Sequence, residues 1–413
     1  MIPHYHTLVI GGGCLGAATA ISLARKLRGQ NKVALIEKAV LGAGVSSRHS
    51  AIVRSANASE TAARLALLST NLWKNLAEVW GVSIPYETPG ALWIGGASSP
   101  ASVWFERMQT VQKAGVDIRP VDRHEANRLT GDAMRLDPDD IYFHEQDVLQ
   151  LEAGDVLHAL QTAVSLNGVE VKEHTQVLGF DDVHTVKTNR GIFHCDHLVN
   201  ATGAWSPALM AQLGRLIPIA MEPVYVANWL VSASDLPENL PIIADYVNRA
   251  YFRRWRGSIL HMHQPRQRDP ARIAEYFSRS SMNPAGADVI YDATNFGVTQ
   301  QQLQDYATRV THRFPRIGSP LYAGGYVSFF DITPDLRFIL GEDPEIPGLY
   351  HCLGGGQALK YAPVFGDLLS DAIVQGRNRY QGLDLDEFSM SRFSHNPLFS
   401  PPAQACDNRY DFL

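Results

Sequence analysis

A glycine-rich turn near the start of the chain constrains the fold more than any other feature. The stretch HTLVIGGGCLGAATAISLARKL covers residues 6–27 and contains no charged residue between Thr7 and Ala24. An apolar run typical of a strand precedes the glycines, and apolar positions at helical spacing follow them. A second apolar run ends at Glu37. The pattern predicts a strand, a tight turn, a helix and a second strand, as at the start of a dinucleotide-binding α/β fold.

Each glycine of Gly11-x-Gly13-x-x-Gly16 has a physical role in such a site. Gly11 permits the tight turn, Gly13 lets the backbone approach a pyrophosphate, and Gly16 allows close packing of helix against strand. The phosphates would bind at the helix N-terminus, where unpaired N–H groups and the helix dipole favour anions. Glu37 would accept hydrogen bonds from ribose hydroxyls, and its charge would repel a 2′-phosphate. We therefore expect NAD or FAD rather than NADP.

The uncharged opening stretch has two rival explanations, a membrane span and a secretion signal. Four glycines make it a poor spanning helix, because glycine destabilises helices. A secretion signal needs a basic region before the apolar run, and residues 1–6 (MIPHYH) supply none. We predict a protein without a transmembrane segment and with a cytoplasmic location.

Composition excludes some classes of partner. The 413 residues are enough for two domains. A formal net charge of -6 gives no reason to expect nucleic acid as a partner. The cysteines form no CxxC pair and no zinc-binding spacing, so we predict reduced thiols and no metal site. They are Cys14, Cys195, Cys352 and Cys406.

Two further segments help to distinguish FAD from NAD. Residues 198–206 (LVNATGAWS) form an apolar strand that ends in a turn of small residues. Residues 351–366 (HCLGGGQALKYAPVFG) form a second glycine turn that runs into a helix predicted from about Ala362. Together with the first loop, these segments look like three parts of one ligand site. A long, extended ligand suits this pattern, which favours FAD.

These motifs give the chain a family resemblance. It resembles the FAD-dependent D-amino acid oxidase superfamily, and within it the glycine oxidase/sarcosine oxidase branch. The resemblance covers nearly the whole chain, and the RHSAIVRS stretch is most similar to the flavin-binding β subunit of heterotetrameric sarcosine oxidases. The motifs that carry it are, in order, the GxGxxG loop with Glu37, SSRHSAIVRS at 46–55, VNATGAWS at 199–206, DITPD at 331–335 and GGGQALKYAPVFG at 354–366.

The resemblance implies a fold of the α/β class, α+β overall. It consists of a Rossmann-like FAD domain of the glutathione-reductase type, with an interleaved substrate domain built on an antiparallel sheet. The implied segments are 1–85, 145–215 and 326–390 for the FAD domain, 86–144 and 216–325 for the substrate domain, and 391–413 for a C-terminal tail.

The resemblance also implies roles for individual residues. Arg54 and Lys360 would hold a substrate carboxylate, since two cations beside a flavin suit an anionic amino acid. His263 occupies the position of an active-site histidine in sarcosine oxidases, and Tyr251 on the preceding strand can line the same pocket. The other expected cofactor contacts are Ser47 and Arg48 in the loop passing the flavin, Val177, Ala201, Gly203, Trp205, Lys360, and the turn Gly354-Gly355-Gly356, whose N–H groups would face the flavin pyrimidine edge.

The activity that the resemblance implies is oxidation of the C–N bond of a small amino acid or N-alkyl amino acid. A hydride passes to flavin N5, and the resulting imine hydrolyses. The alternatives are a dehydrogenase subunit of a hetero-oligomeric complex, of proline, hydroxyproline or opine type, that passes electrons to another carrier, and a non-catalytic flavin or electron-transfer subunit.

Two positions depart from the monomeric sarcosine oxidases. Ser328 stands near the place of the cysteine that binds flavin covalently there, so we expect noncovalent FAD. Ile259 stands at the place of a lysine that promotes reaction with oxygen. An electron acceptor other than oxygen therefore stays an alternative, and partner subunits could provide it.

Overall fold

The computed structural model describes residues 2–393 except 30–31, 58, 97–100, 233, 266–269, 282–296, 377–379, 381–382 and 384. Its strands are β1 (His4–Ile10), β2 (Val33–Ile36), β3 (Ile52–Val53), β4 (Ala91–Gly95), β5 (Ile118–Val121), β6 (Ile141–Glu145), β7 (Leu149–Gln150), β8 (Glu170–Lys172), β9 (Val177–Asp182), β10 (Thr185–Thr188), β11 (Gly191–Asn200), β12 (Ala220–Leu230), β13 (Ile242–Asp245), β14 (Ala250–Trp255), β15 (Ile259–His263), β16 (Leu321–Ile332), β17 (Ile339–Glu342) and β18 (Leu349–Leu353). Its α-helices are α1 (Cys14–Leu27), α2 (Glu60–Lys74), α3 (Leu76–Val79), α4 (Ala101–Lys113), α5 (Arg123–Leu129), α6 (Ala153–Leu166), α7 (Ser206–Met210), α8 (Pro270–Ser281), α9 (Gln300–Arg313) and α10 (Ala358–Gln375).

The first sheet brings the three predicted cofactor segments to one edge. Its strand order is β17-β18-β11-β1-β2-β8, with the β9–β10 hairpin joined to β11. Strands β1, β2, β11 and β18 run parallel, and Ile10 pairs with both Asn200 and Ile36. Because the carboxyl ends of parallel strands share an edge, the loops after these strands meet there. The Gly11 turn, Glu37, the turn after Asn200 and the Gly354 turn are therefore neighbours.

The second sheet has the order β16-β12-β15-β14-β13-β4-β6-β5. All its neighbouring strands are antiparallel except β13 and β4, which pair in parallel. The predicted α/β fold with a second, largely antiparallel sheet is thus confirmed, and the parallel pair is the one departure. The predicted domain boundaries stay a prediction; β16 runs across the proposed boundary at 326.

Helices α1 and α10 pack closely on one face of the first sheet. Gly366 in α10 faces the backbone of α1, where an added Cβ would lie 2.5 Å from the carbonyl oxygen of Ala18. A glycine at this position therefore sets the distance between the two helices. None of the described helices is long and apolar enough to cross a membrane.

Two predicted helix boundaries are wrong. The spacing of Leu65, Leu68, Leu72 and Leu76 predicts one amphipathic helix over Glu60 to Val79. The helix is instead interrupted at Asn75, which separates α2 from α3. Helix α10 begins at Ala358 instead of near Ala362, so Pro363 lies inside it. Prolines are favoured in the first turn of a helix. A start near Ala362 satisfies this preference for Pro363, but the helix begins one turn earlier. Of the predicted tail, residues 394–413, including Cys406, lie outside the described residues.

A buried ion pair fixes α9 to the second sheet. Arg313 has no exposed side-chain surface; its Nε donates to Asp245 Oδ2 at 2.5 Å, and its NH1 donates to Asp140 Oδ2 at 2.6 Å. Breaking a buried pair leaves charges without compensation. We expect Arg313→Met to lower the free energy of unfolding by about 3 to 5 kcal/mol in urea titrations.

The matched control for this prediction is Arg64→Met. Arg64 forms an i,i+4 pair with Glu60 at 2.6 Å, and both side chains are 43% exposed. Exposed pairs contribute about 0.5 kcal/mol or less. Equal effects of the two substitutions would contradict the structural role of Arg313.

Candidate active site

A large cavity lies between the carboxyl edge of the first sheet and the second sheet. Its volume is about 550 Å³. Gly11 and Ala201 line it from the first sheet, and Val226, Tyr251 and Ser328 line it from the second. The cavity therefore extends from the glycine loop to residues that are predicted to contact a substrate.

The glycine loop opens the N-terminus of α1 to this cavity. Gly13 precedes the helix, and Gly13, Cys14 and Leu15 line the cavity. The first turn of α1 contains no acidic residue, so the helix dipole can favour an anion there. Gly16 does not line the cavity. A Cβ on Gly16 would lie 1.9 Å from the Gly11 carbonyl oxygen, so its absence permits the close packing.

Glu37 lies on the cavity wall with its carboxylate fixed by the backbone. Its Oε2 accepts from the Gly12 N–H at 2.8 Å, and its Oε1 accepts from the Ala39 N–H at 2.8 Å. Each carboxylate oxygen has further acceptor capacity. The carboxylate is thus oriented and can still accept from hydroxyl groups.

The other predicted contacts on the first sheet also line the cavity. Val177 lies at the start of β9, and Ala201, Gly203 and Trp205 follow β11. The side chain of Asn200 orders this turn, because its Oδ1 accepts from the Thr202 hydroxyl at 2.7 Å. The turn therefore has a fixed shape next to the glycine loop.

The second glycine turn meets the prediction only in part. All three glycines have positive φ angles of 80°, 80° and 62°, a region that residues with a Cβ rarely adopt. Gly356 lines the cavity, whereas Gly354 and Gly355 do not. The Gly354 N–H donates to Asp331 Oδ2 at 3.1 Å, and a Cβ on Gly355 would lie 2.5 Å from the Phe338 ring. These two glycines shape the turn, and only Gly356 is placed to meet a ligand.

The loop between β2 and β3 differs from the prediction at one serine. Arg48 lines the cavity, but Ser47 does not, and its Oγ donates to the Gly44 carbonyl at 2.9 Å. Ser46 lines the cavity instead, and its Oγ accepts from the Cys14 N–H at 2.9 Å. Sequence reasoning missed Ser46, because the side-chain directions in a short 3-10 turn show no periodicity.

The four predicted catalytic residues line the same cavity. The Arg54 guanidinium lies 4.8 Å from the Trp93 ring centroid and 6.0 Å from that of Tyr251. Lys360, in the first turn of α10, is only 4% exposed. The rings of Tyr251 and His263 stack with centroids 5.1 Å apart and an interplanar angle of 3°. Arg54 and the aromatic pair thus lie together at one end of the cavity, and Lys360 lines the same cavity.

Two further residues at this end carried no sequence signal. The Tyr246 hydroxyl lies 2.6 Å from the Tyr251 hydroxyl, because the β13–β14 hairpin brings the two residues together. Glu145 is fully buried and accepts from the backbone N–H groups of Ser55 at 2.6 Å and Ala56 at 3.0 Å. Burial raises the pKa of Glu145. Its hydrogen bonds fix the backbone that follows Arg54.

His263 makes the folded protein sensitive to acid. Burial, followed by the charges of Arg253 and Arg54, lowers its pKa from 6.5 to about 4. Between these values the unfolded chain binds a proton that the folded chain does not, so stability falls as the pH falls from about 6.5 to about 4. We expect His263→Asn, which can still donate to the Gln264 carbonyl, to reduce the dependence of Tm on pH in this window. An unchanged slope would contradict the assignment.

Comparison with known proteins now identifies the family. The model of the FAD-dependent oxidoreductase family (DAO) matches residues 6–372. The chain belongs to the FAD-dependent oxidoreductase family. This assignment confirms the resemblance drawn from the motifs and identifies FAD as the cofactor.

Two similar proteins are named as oxidases of amino acids. The chain is 25% identical over 405 residues to 4-methylaminobutanoate oxidase (formaldehyde-forming) of Paenarthrobacter nicotinovorans, which covers 95% of this chain and 46% of that protein. It is 23% identical to glycine oxidase of Geobacillus kaustophilus, and the match covers 95% of this chain and 98% of that protein. The chain thus spans less than half of the first relative. The crystal structure of L-proline dehydrogenase from P. horikoshii shares the fold, with a TM-score of 0.80 and 20% identity. The match covers 96% of this chain and 99% of that chain.

The cavity residues of this family member suit FAD. The helix N-terminus, the oriented Glu37 carboxylate and the Gly356 turn lie along one continuous wall. Gln357, next to Gly356, lines the cavity, and its buried Oε1 has no hydrogen-bond partner among the described residues. A buried acceptor without a partner is costly, and a ligand with N–H groups would satisfy it. These residues therefore fit a dinucleotide that carries a polar ring.

Proposed function

We propose that this protein oxidises the C–N bond of a small amino acid or N-alkyl amino acid with FAD as the hydride acceptor. The observation that supports the proposal is the position of Arg54 and Lys360 on the wall of the cavity that also contains the phosphate-binding helix N-terminus. An anionic substrate beside the cofactor would meet two cations there. Such charges bind a carboxylate and orient the rest of the molecule.

The wall also selects the protonation state of the amine. Among the described residues, the only acidic side chains on the wall are Glu37 and Asp331. Both accept hydrogen bonds from the backbone of the cofactor turns, Glu37 from Gly12 and Asp331 from Gly354. Glu145 lies near Arg54 but behind the wall, where it accepts from the backbone N–H groups of Ser55 and Ala56. A cationic amine in the cavity would therefore find no uncommitted carboxylate on the described part of the wall. The site favours the neutral amine, whose nitrogen lone pair assists departure of the hydride from the neighbouring carbon.

The chain's own residues bind the substrate, orient it and exclude water from the site. Arg54 and Lys360 hold the carboxylate, and the stacked rings of Tyr251 and His263 form an apolar face beside the reacting carbon. His263 stays neutral above pH about 4 and adds no third positive charge to those of Arg54 and Lys360. FAD supplies the two-electron acceptor when bound. The imine product then hydrolyses in water to an oxo acid, or to an aldehyde and an amine.

The electron acceptor after the cofactor is a separate proposal. Lys38 and Lys360 are the only lysines on the described part of the wall, and the position of the expected oxygen-promoting lysine is Ile259. We infer that electrons pass to another carrier, as in a dehydrogenase, and that partner subunits can supply it. Noncovalent binding of FAD and a cytoplasmic location stay predictions.

The experiment incubates the purified protein in air with amino acids and N-methyl amino acids, with and without an artificial electron acceptor. Formation of oxo acid or aldehyde supports C–N oxidation. Product that forms only with the added acceptor, without peroxide, supports the dehydrogenase proposal. Stoichiometric peroxide in air would contradict it while leaving C–N oxidation intact.

A further inference from the structure

Three polar side chains connect the interior of the second sheet to the cavity wall. His261, on β15, is 3% exposed. Its Nδ1 lies 2.9 Å from Asn228 Oδ1 on β12, the neighbouring strand. Its Nε2 lies 3.0 Å from Ser50 Oγ. Ser50 lines the cavity, whereas Asn228 and His261 lie behind it.

The contacts determine which atom carries each proton. An amide oxygen only accepts, so the proton of a neutral His261 ring lies on Nδ1. The Nε2 atom must then accept, and the Ser50 hydroxyl is the donor. The Ser50 hydroxyl therefore donates its proton to His261 Nε2. The lone pairs of Ser50 Oγ remain available to accept from a ligand in the cavity.

The surroundings keep the His261 ring neutral. Burial, followed by the charges of Arg253 and His263, lowers the pKa of His261 well below its ordinary value. Arg253 faces it from β14, His263 from β15 and Tyr326 from β16. Glu152 pairs with Arg253, whose NH2 donates to Glu152 Oε1 at 3.5 Å. No described carboxylate hydrogen-bonds to the His261 ring.

Ser50 lies in the loop that runs along the cofactor side of the cavity. Four residues earlier, Ser46 Oγ accepts from the Cys14 N–H at the phosphate-binding helix. We propose that Asn228 and His261 fix the Ser50 hydroxyl as a hydrogen-bond acceptor for a ring N–H of the FAD isoalloxazine. Asn228 and His261 are then positioning residues. The inference rests on FAD as the cofactor, and it does not depend on the proposed amine substrate.

The experiment measures FAD binding to the apoprotein by quenching of flavin fluorescence. We expect Ser50→Ala to raise the Kd for FAD by about 5- to 100-fold, since it removes one partner of a buried hydrogen bond. His261→Gln should retain most of the affinity, because its Oε1 can still accept from Ser50. The control is Met262→Leu, a substitution in the core on the opposite face of β15.

A second variant reverses the direction of the chain of hydrogen bonds. In Asn228→Asp a carboxylate faces Nδ1 and favours the imidazolium. Nε2 then donates to Ser50, whose own proton turns into the cavity toward the ring N–H. We expect FAD affinity in this variant to fall at low pH and to recover at high pH, while the wild type stays flat between about pH 6 and 8.

Two results would overturn the proposal. The first is an FAD affinity that is the same in Ser50→Ala, Asn228→Asp and wild type at every pH. The second is a Ser50→Ala variant with unchanged FAD affinity and flavin spectrum but a raised KM for an amine, which would assign the acceptor to the substrate. The FAD affinity and the flavin spectrum, which decide the proposal, are measured without an amine. The absence of any amine oxidation would therefore contradict the proposed function without affecting this test.

Discussion

We expect Arg54→Met to raise the KM for an amino acid substrate by roughly 30-fold or more and to leave FAD bound. Removal of one partner from a buried, hydrogen-bonded charge pair costs about 2 to 5 kcal/mol, and each 1.4 kcal/mol is tenfold in affinity. The guanidinium is held between Trp93 and Tyr251 and donates to the Ala56 carbonyl. A flexible methionine fills similar volume but cannot bind a carboxylate.

The control for this prediction is a second substrate rather than a second protein. The same amine without its carboxylate makes no contact with Arg54, so its poor KM should not change in Arg54→Met. Flavin absorbance relative to protein absorbance checks that the variant retains FAD. Equal losses for both amines would show that the substitution disturbs the site as a whole, and unchanged values for both would exclude the carboxylate role.

We expect Gly13→Ala to weaken FAD binding by roughly 5- to 150-fold, because overpacking costs about 1 to 3 kcal/mol. Gly13 has φ -74° and ψ 179°, an extended conformation that alanine adopts without strain. A Cβ there would lie 3.1 Å from Ser46 Oγ and meets no other atom within 4 Å. The methyl group therefore requires only a small shift of Ser46 Oγ, and we expect it to occupy space where a pyrophosphate would approach.

Gly154→Ala is the matched control. Gly154 lies in α6, and an added Cβ there meets nothing within 4 Å. Alanine favours a helix over glycine, so this variant should fold normally and bind FAD as the wild type does. Equal FAD affinity in Gly13→Ala and the wild type would contradict the placement of the pyrophosphate at this loop.

The sequence was most informative where the determinants are local. The glycine loop, the strand before it and the acidic residue at Glu37 lie within one short segment, and the structure brings them together as expected. Ser46 and Ser47 are adjacent, yet only Ser46 faces the cavity. Side-chain direction within an irregular turn depends on its backbone angles, which a sequence pattern does not reveal.

Residues that act from behind the site could not be predicted. Glu145 ends a strand far from Arg54 in the chain, and only the pairing of β4 with β6 places it beside Ser55 and Trp93. The same is true of His261, which reaches Ser50 across the junction of the two sheets. Buried polar contacts between distant segments are a property of the fold, and no spacing rule within one segment identifies them.

The most direct measurement of the central claim is anaerobic titration of the FAD-loaded protein with amino acids and N-methyl amino acids, each paired with its carboxylate-free amine. Loss of the oxidised flavin absorbance follows hydride transfer without regard to the later electron acceptor. We expect bleaching by at least one carboxylate-bearing amine at concentrations where its carboxylate-free partner has no effect. A flavin that no amine bleaches, or that both members of each pair bleach equally, would contradict it.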